Sequence, residues 1–197
     1  MAIFRVFFFL SLVLGSYLPS NASAQHIEQL FDEESTLDLS DSLYFLFETD
    51  YQLTISDVSR RRNDFLMHPH DNPNFGFRNN GMWLLTSVAN VSNDKHWVFS
   101  INFSQLDSVD FYLVQNGKVI KQSHQGKAQK EQRFRVPTFR VELPDSDPVD
   151  LYIRIESRSS SLIAPLRIQA EPLHSSYSQM DSLLWGFFYG GLLILAI

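Results

Sequence analysis

The sequence lacks cysteine altogether, and it also lacks the short motifs that mark common enzyme classes. Without cysteine the chain has no disulfide framework, no Cys-ligated zinc site and no cysteine nucleophile. Glycine-rich phosphate loops, Gly-x-Ser-x-Gly elbows and His-Glu-x-x-His zinc motifs are absent as well. We therefore expect a protein that is not an enzyme and that holds no cofactor and no metal ion.

Basic residues are scarce, since 16 Lys and Arg stand against 22 Asp and Glu and the formal net charge is −6. Residues 28–57 are rich in carboxylates and contain no Lys or Arg. In residues 127–140, by contrast, most of the charged side chains are basic. The two stretches can be solvated faces of one domain, or the basic one can bind an anionic ligand. The acidic balance argues against bulk nucleic-acid binding, so no nucleic-acid partner is expected.

The first 24 residues have the pattern of a cleavable signal peptide. Arg5 supplies a positive charge, residues 6–14 form an apolar run, and Ala22 and Ala24 satisfy the small-x-small rule for signal peptidase. The short apolar run argues against the alternative, an uncleaved anchor helix. We expect residues 1–24 to be removed on export.

Residues 182–197 contain no charged side chain. Sixteen helical residues would span about 24 Å, somewhat less than the roughly 30 Å of a hydrocarbon core. Trp185 and Tyr189 stand near the start of the run, where interfacial aromatic residues are common. The run predicts the first part of a transmembrane helix; the alternative is a buried core helix.

Between the two ends the sequence divides into an acidic polar leader (residues 25–42), expected to have little structure of its own, and a domain over residues 43–175. The domain shows period-2 alternation of apolar and polar residues, which is typical of half-buried strands. The clearest case is the segment 149–156. Its residues expected to face the core are Val149, Leu151, Ile153 and Ile155.

Short strands separated by turn residues predict an all-β fold, an antiparallel β-sandwich resembling a jelly roll or a carbohydrate-binding module. Asn116 and Gly117 predict a hairpin, because both residues tolerate positive φ. A short helix is expected over residues 56–62, with Ser56 as its cap. The predicted strands cover residues 43–47, 82–89, 96–103, 109–114, 118–123, 138–143, 149–156 and 166–170.

A series of loose motifs, in a fixed order, resembles a known family of receptor domains. The series comprises residues 44–57, Asn74-Phe75-Gly76, Trp83, residues 106–112, Gly126, Arg133, residues 151–157 and Pro165-Leu166. It is similar to the periplasmic sensor domain (extracellular domain type 2) of bacterial seven-transmembrane receptors with diverse intracellular signalling modules. The resemblance covers roughly residues 43–197.

The resemblance implies a sensor domain at the periplasmic face of the bacterial inner membrane, where it binds a small ligand such as a carbohydrate. In that family seven helices and a cytoplasmic output module follow the domain. This sequence stops within the first of those helices, so the signalling parts are expected to be missing from it. A homodimer is a further partner to consider.

Sugar recognition commonly combines an aromatic platform with arginine or other polar contacts, and arginine also binds carboxylates in a bidentate manner. The candidate ligand-binding residues are Trp83, Tyr112, Arg133, Arg135 and Arg154. Trp97, Tyr152 and Phe134 are further aromatic candidates. For each of these residues a role in the core or as a solvated side chain is the competing interpretation.

Two other functions stay open besides ligand sensing. The first is a structural or protein-interaction module at the membrane. The second is an exported glycan-active enzyme, for which the carboxylate pairs Asp107 with Asp110 or Asp145 with Asp147 would be the candidates. The sequence His68-Pro69-His70-Asp71 is a weak metal motif, which we interpret as an exposed loop.

Overall fold

The computed structural model describes residues 26–32, 36–49, 52–69, 72–127, 135–171 and 188. The predicted signal peptide, and the predicted membrane helix apart from Phe188, lie outside the described residues. Within the described part of the chain, no helix is both long enough and apolar enough to span a membrane.

In the described residues the chain forms strands joined by turns, with one short α-helix, α1 (Ile55–Arg60), and two 3-10 turns, Ser40–Ser42 and Arg62–Asp64. The strands are β1 (Ile27–Leu30), β2 (Leu37–Asp38), β3 (Tyr44–Phe47), β4 (Leu66–Met67), β5 (Met82–Asn90), β6 (His96–Ile101), β7 (Ser108–Gln115), β8 (Lys118–Gln125), β9 (Thr138–Glu142), β10 (Val149–Glu156) and β11 (Leu166–Ala170).

The strands form two sheets that pack face to face. The larger sheet has the order β4-β3-β5-β10-β7-β8, and the smaller sheet has the order β2-β11-β6-β9. The pairs are antiparallel except that β1 runs parallel to the second half of β5, beyond the part that pairs with β3. The predicted all-β antiparallel sandwich is confirmed.

The core lies between the two sheets and is built from alternate residues of each strand. Phe111 of β7 stacks on Phe139 of β9 with ring centroids 4.6 Å apart, and it packs against Phe99 of β6 at 5.8 Å. These rings therefore join the larger sheet to the smaller one. The four residues predicted to face the core from β10 are all buried there: Val149, Leu151, Ile153 and Ile155.

The hairpin prediction is confirmed between β7 and β8. Asn116 and Gly117 have φ values of 50° and 73°, in the left-handed region that a two-residue hairpin turn requires. The structure thus places the positive φ angles on residue types that adopt them at little steric cost.

The predicted helix forms, but the predicted cap is wrong. Thr54, not Ser56, caps α1: its hydroxyl accepts a hydrogen bond from the Asp57 amide at 3.3 Å, and the Asp57 carboxylate accepts one from the Thr54 amide at 3.0 Å. This reciprocal capping box satisfies two backbone donors at once, which a cap at Ser56 would not do.

The segment 25–42 has more structure than the sequence indicates. β1 pairs with β5 and β2 pairs with β11, so both strands add to the sheets. Their side chains alternate too briefly to be recognised, because strands of four and two residues obtain their hydrogen bonds from partners far away in the sequence.

The sandwich has two distinct ends. Ala170, the last residue of β11, pairs with Trp97 beside the turn 91–95, at the same end as the Asn116 hairpin. We call this the exit end, because the last of the described strands, β11, finishes there. The opposite end, which carries Glu48, Gly81, Gly126 and the end of β10, is the far end.

Candidate functional site

Strand register places a row of side chains across the outer face of the larger sheet. Trp83 of β5 lies opposite Leu46 of β3 and Arg154 of β10, and Arg154 in turn lies opposite Asp110 of β7, which pairs with His124 of β8. Their sequence neighbours point into the core, so these residues point away from it. The row therefore combines an aromatic ring, a cation, a carboxylate and an imidazole.

A buried ion pair lies at the centre of this row. Arg154 donates from Nε to Glu48 Oε1 at 2.8 Å and from Nη2 to Glu48 Oε2 at 2.7 Å, and the side chains are 5% and 4% exposed. Oε1 also accepts hydrogen bonds from Trp83 Nε1 at 2.9 Å and from the Leu53 amide at 3.1 Å. The Glu48 carboxylate is thus held by four donors.

The electrostatics of the pair keep both groups charged. Burial would raise the pKa of Glu48, but the hydrogen bonds and charge of Arg154, with the donors from Trp83 and Leu53, bring that pKa below its ordinary value. Burial would likewise lower the pKa of Arg154, and Glu48 and Glu156 raise it instead. The site therefore holds a permanent charge pair at neutral pH.

Arg154 also contacts two carboxylates that are partly open to solvent. Its Nη2 donates to Glu156, and its Nη1 lies 3.7 Å from Asp110 Oδ2. The Asp110 carboxylate contacts the His124 ring on its other side. One guanidinium thus contacts one buried carboxylate and two half-buried ones, and these two form the accessible rim of the cluster.

Gly81 provides the space for the ion pair. A Cβ atom at this position would lie 2.6 Å from Glu48 Oε2 and 2.7 Å from Arg154 Nη2. Both contacts are shorter than side chains tolerate, so a larger residue at position 81 would displace the pair.

An aromatic pair lies beside the cluster. Tyr112 stacks on Trp83 with ring centroids 5.7 Å apart and planes inclined by 28°. Trp83 is almost completely buried, whereas Tyr112 is half-buried. Burial, and then the charge of Asp110, raise the pKa of the Tyr112 hydroxyl. Of the two rings, that of Tyr112 is therefore the one accessible from solvent.

Part of the outer face is covered by residues 52–65, which we call the cover segment. Its apolar side chains Leu53, Val58 and Phe65 pack on the outer face of the sheet, and Phe65 meets Tyr152 edge to face. Arg62 also binds Asp150 of β10. The cover segment shields β3, β5, β10 and the end of β7 at Val114, whereas Asp110 and Tyr112 of β7 are half-buried and β8 is mostly exposed.

Three of the five predicted ligand-binding residues meet here: Trp83, Tyr112 and Arg154. Arg135 is exposed in the loop that precedes β9, and no contact joins it to the cluster. Arg133 lies outside the described residues, as does Phe134. The other aromatic candidates are buried: Trp97 is in the core and donates to the Asp94 carbonyl at 2.9 Å, and Tyr152 lies beneath the cover segment.

Sequence reasoning missed the carboxylates that hold Arg154. Glu48 directly follows a predicted strand, and Glu156 occupies a polar position of another predicted strand. The alternation of apolar and polar residues was therefore the only feature of the sequence that could have pointed to them. Alternation does not show which polar residues become neighbours. Asp107 and Asp110 have different partners: Asp107 accepts a hydrogen bond from the Arg158 amide at 2.7 Å, while Asp110 contacts His124.

The weak metal motif also does not assemble a site in the described residues. His68 is buried, with its ring 4.8 Å from that of Phe75, and it is not the exposed loop residue that the sequence predicts. His70 and Asp71 lie outside the described residues. Across the described ranges, no group of three or more His, Asp or Glu side chains is placed to hold a metal ion.

Comparison with known proteins identifies the family. No curated protein matches the chain. Among solved structures, the β-glucosidase from Kluyveromyces marxianus in complex with glucose is 15% identical, with a TM-score of 0.34, over 65% of this chain and 15% of that one. Residues 40–170 match the family described as 7TMR-DISM extracellular 2, and the chain therefore belongs to this family of extracellular or periplasmic sensor domains of membrane receptors.

Proposed function

We propose that this chain is the ligand-sensing part of its receptor and binds a small ligand, with carbohydrates as the first class to test, on the outer face of β7 around Asp110 and Tyr112, beside Arg154 of β10. The single observation that carries the proposal is the arrangement around Arg154. This cation joins the buried Glu48 to the accessible carboxylates Asp110 and Glu156, next to the half-exposed ring of Tyr112.

The accessible groups suit a polyhydroxylated ligand. Carboxylates accept hydrogen bonds from hydroxyl groups, and the face of a tyrosine ring packs against the apolar face of a sugar. Asp110, Glu156 and Tyr112 provide both kinds of contact within one patch of the sheet. The buried part of the cluster, Trp83 with Glu48, serves to hold Arg154 in place.

The same arrangement links ligand binding to the cover segment. A ligand that draws Asp110 or Glu156 away from Arg154 changes how tightly the guanidinium holds Glu48, and Glu48 also binds the Leu53 amide of the cover segment. A ligand shifts a conformational equilibrium only by its difference in affinity for the two states. The cover segment is the element that can differ between those states.

We also propose that the domain performs no chemistry. The buried carboxylate of the cluster is unsuited to act as a general acid, because glycoside hydrolysis needs a carboxyl group with a raised pKa and the environment of Glu48 lowers its pKa. The receptor would carry the signal onward through transmembrane helices to a cytoplasmic output module, on the side where the chain leaves the sandwich.

Calorimetric titration of the purified full chain in detergent against a panel of neutral and acidic saccharides tests the proposal. We expect saturable binding of at least one member, and at least tenfold weaker binding in Tyr112→Ala and in Asp110→Asn. Lys118→Ala at the exit-end hairpin is the matched control and should bind as the parent does. Absence of binding across the panel, or equal affinity in all three variants, would overturn the proposed site.

A further inference from the structure

A shallow depression at the far end adjoins the Arg154 cluster and shares Glu156 with it. Its lining residues are Asp107, Ser108, Lys127, Glu156 and Arg158. It lies at the far end of the sandwich, opposite the end where β11 finishes.

The two cationic side chains of the depression form no ion pairs with its two carboxylates. Glu156 is engaged by Arg154, and Asp107 accepts a hydrogen bond from the Arg158 backbone amide at 2.7 Å. The side chains of Lys127 and Arg158 form no ion pair or hydrogen bond with any described residue. Among the described residues these two cations therefore lie unpaired beside two carboxylates, of which Glu156 is paired with Arg154 and Asp107 is bound by a backbone amide.

The backbone around these cations is locked in place. The Lys127 amide donates to the Leu106 carbonyl at 3.0 Å, and the Asp107 amide donates to the Glu156 carbonyl at 2.9 Å. With the bond from Arg158 to Asp107, three chain segments are tied together directly beneath the cations. Preorganisation of this kind reduces the entropy lost when a ligand binds.

Gly126 makes this close approach possible. Its φ is 143°, and a Cβ atom there would lie 2.5 Å from the Asp107 carbonyl oxygen and 2.9 Å from Ser108 Cα. A side chain at position 126 would push the Lys127 backbone away from the segment 106–108. The shape of the depression thus depends on glycine at position 126 for two reasons: its positive φ, and the absence of a side chain that would collide with Asp107 and Ser108.

We infer that this depression binds the carboxylate or sulfate group of an acidic small ligand. The inference rests on the proposed function and names the chemistry of its ligand. Lys127 and Arg158 supply the charge, and Ser108 supplies a hydroxyl donor. A ligand whose anionic group sits here places its neighbouring atoms against Glu156, the residue that contacts Arg154.

Chemical-shift titration of the ¹⁵N-labelled full chain in detergent, with sodium sulfate, glucuronate and glucose as separate probes, tests this inference. We expect sulfate and glucuronate to produce saturable shifts centred on the amides of Ser108, Lys127 and Arg158. Glucose should produce none of these shifts. The double variant Lys127→Gln/Arg158→Gln should raise the Kd for glucuronate at least tenfold.

The matched control is Lys118→Gln/Lys121→Gln, which removes two positive charges at the exit end and should leave the Kd unchanged. Non-saturable shifts spread over all surface cations would overturn the anion site. So would glucuronate binding that the Lys127 and Arg158 substitutions do not weaken. If a neutral saccharide binds at Tyr112 while sulfate and glucuronate leave the depression unchanged, the anion site fails and the proposed function stands.

Discussion

At the scale of single residues, the stability of the Arg154–Glu48 pair depends on how well its contacts offset the free-energy cost of removing two charges from water. Arg154 and Glu48 are both buried, and a buried pair survives only if good geometry and further hydrogen bonds compensate for desolvation. Glu48 has donors from Arg154, Trp83 and Leu53. Each of the two buried charges therefore needs the other to offset its desolvation.

The first prediction concerns this dependence. Arg154→Met should lower the free energy of unfolding by about 3–5 kcal/mol, because it leaves the buried Glu48 carboxylate without its counter-charge. Urea denaturation at pH 7 measures the loss. The double variant Arg154→Met/Glu48→Gln should recover a substantial part of it, since no unpaired charge remains. A double variant less stable than Arg154→Met would contradict this account.

The second prediction is the pH dependence of the same pair. The pKa of Glu48 is lower in the folded chain than its ordinary value of 4.5. Its contribution to stability is therefore complete above that ordinary value and is lost as the pH falls through the lowered folded pKa. The difference in Tm between the parent and Glu48→Gln should stay constant from pH 7 to about 5 and then shrink with acidification. A difference that grows below pH 5 would refute it.

At the scale of elements, the cover segment has its own local determinants. Thr54 and Asp57 cap α1 reciprocally, while Ser56 makes no capping contact. Leu53, Val58 and Phe65 then hold the segment on the sheet. The helix is too short to be stable alone, so its cap and its packing act together.

The third prediction separates the two possible caps. Thr54→Ala should destabilise the fold by about 1 kcal/mol, because the Asp57 amide loses its acceptor. Ser56→Ala, a substitution of similar size two residues away, should change stability by less than about 0.5 kcal/mol. Thermal unfolding of both variants decides between them, and equal effects would exclude Thr54 as the cap.

The strands show what local pattern can and cannot predict. The alternation over residues 149–156 predicts β10 and its four core residues, and the structure confirms them. β1 and β2 escape notice, because a strand of four or two residues carries too little periodicity. Their place in the fold depends on pairing partners that no local window contains.

At the scale of the whole molecule, the two sheets are joined through the rings of Phe99, Phe111 and Phe139. The two ends of the sandwich are also different. The far end carries the Arg154 cluster and the depression beside it, and the chain leaves at the exit end. Strand β10 runs between the two ends, from Val149 at the exit end to Glu156 at the far end.

The fourth prediction addresses the contact between the sheets. Phe111→Ala should lower the free energy of unfolding by about 3–5 kcal/mol, since it removes a fully buried ring between the two sheets. Ile120→Ala on the exposed edge strand β8 is the control and should change stability by less than about 0.5 kcal/mol. If Phe111→Ala does not fold, Phe111→Leu should show a smaller loss in the same urea titration.

The candidate site was only partly predictable for a related reason. Tyr112 and Arg154 stand out in the sequence because they are polar-face residues of predicted strands. Glu48 does not stand out, although it is the principal partner of Arg154, because 106 residues separate the two. An ion pair over that separation is created by the register of β3, β5 and β10 together.

The sequence by itself determined the class of fold, because alternation and turn chemistry act over a few residues and are written into every strand and hairpin. It also determined the absence of cysteine chemistry. Only the tertiary structure decided that Trp83 is buried, that Glu48 neutralises Arg154, and that Lys127 and Arg158 meet beside Glu156. These facts depend on strand order and register, which the hydrophobic core selects for the chain as a whole.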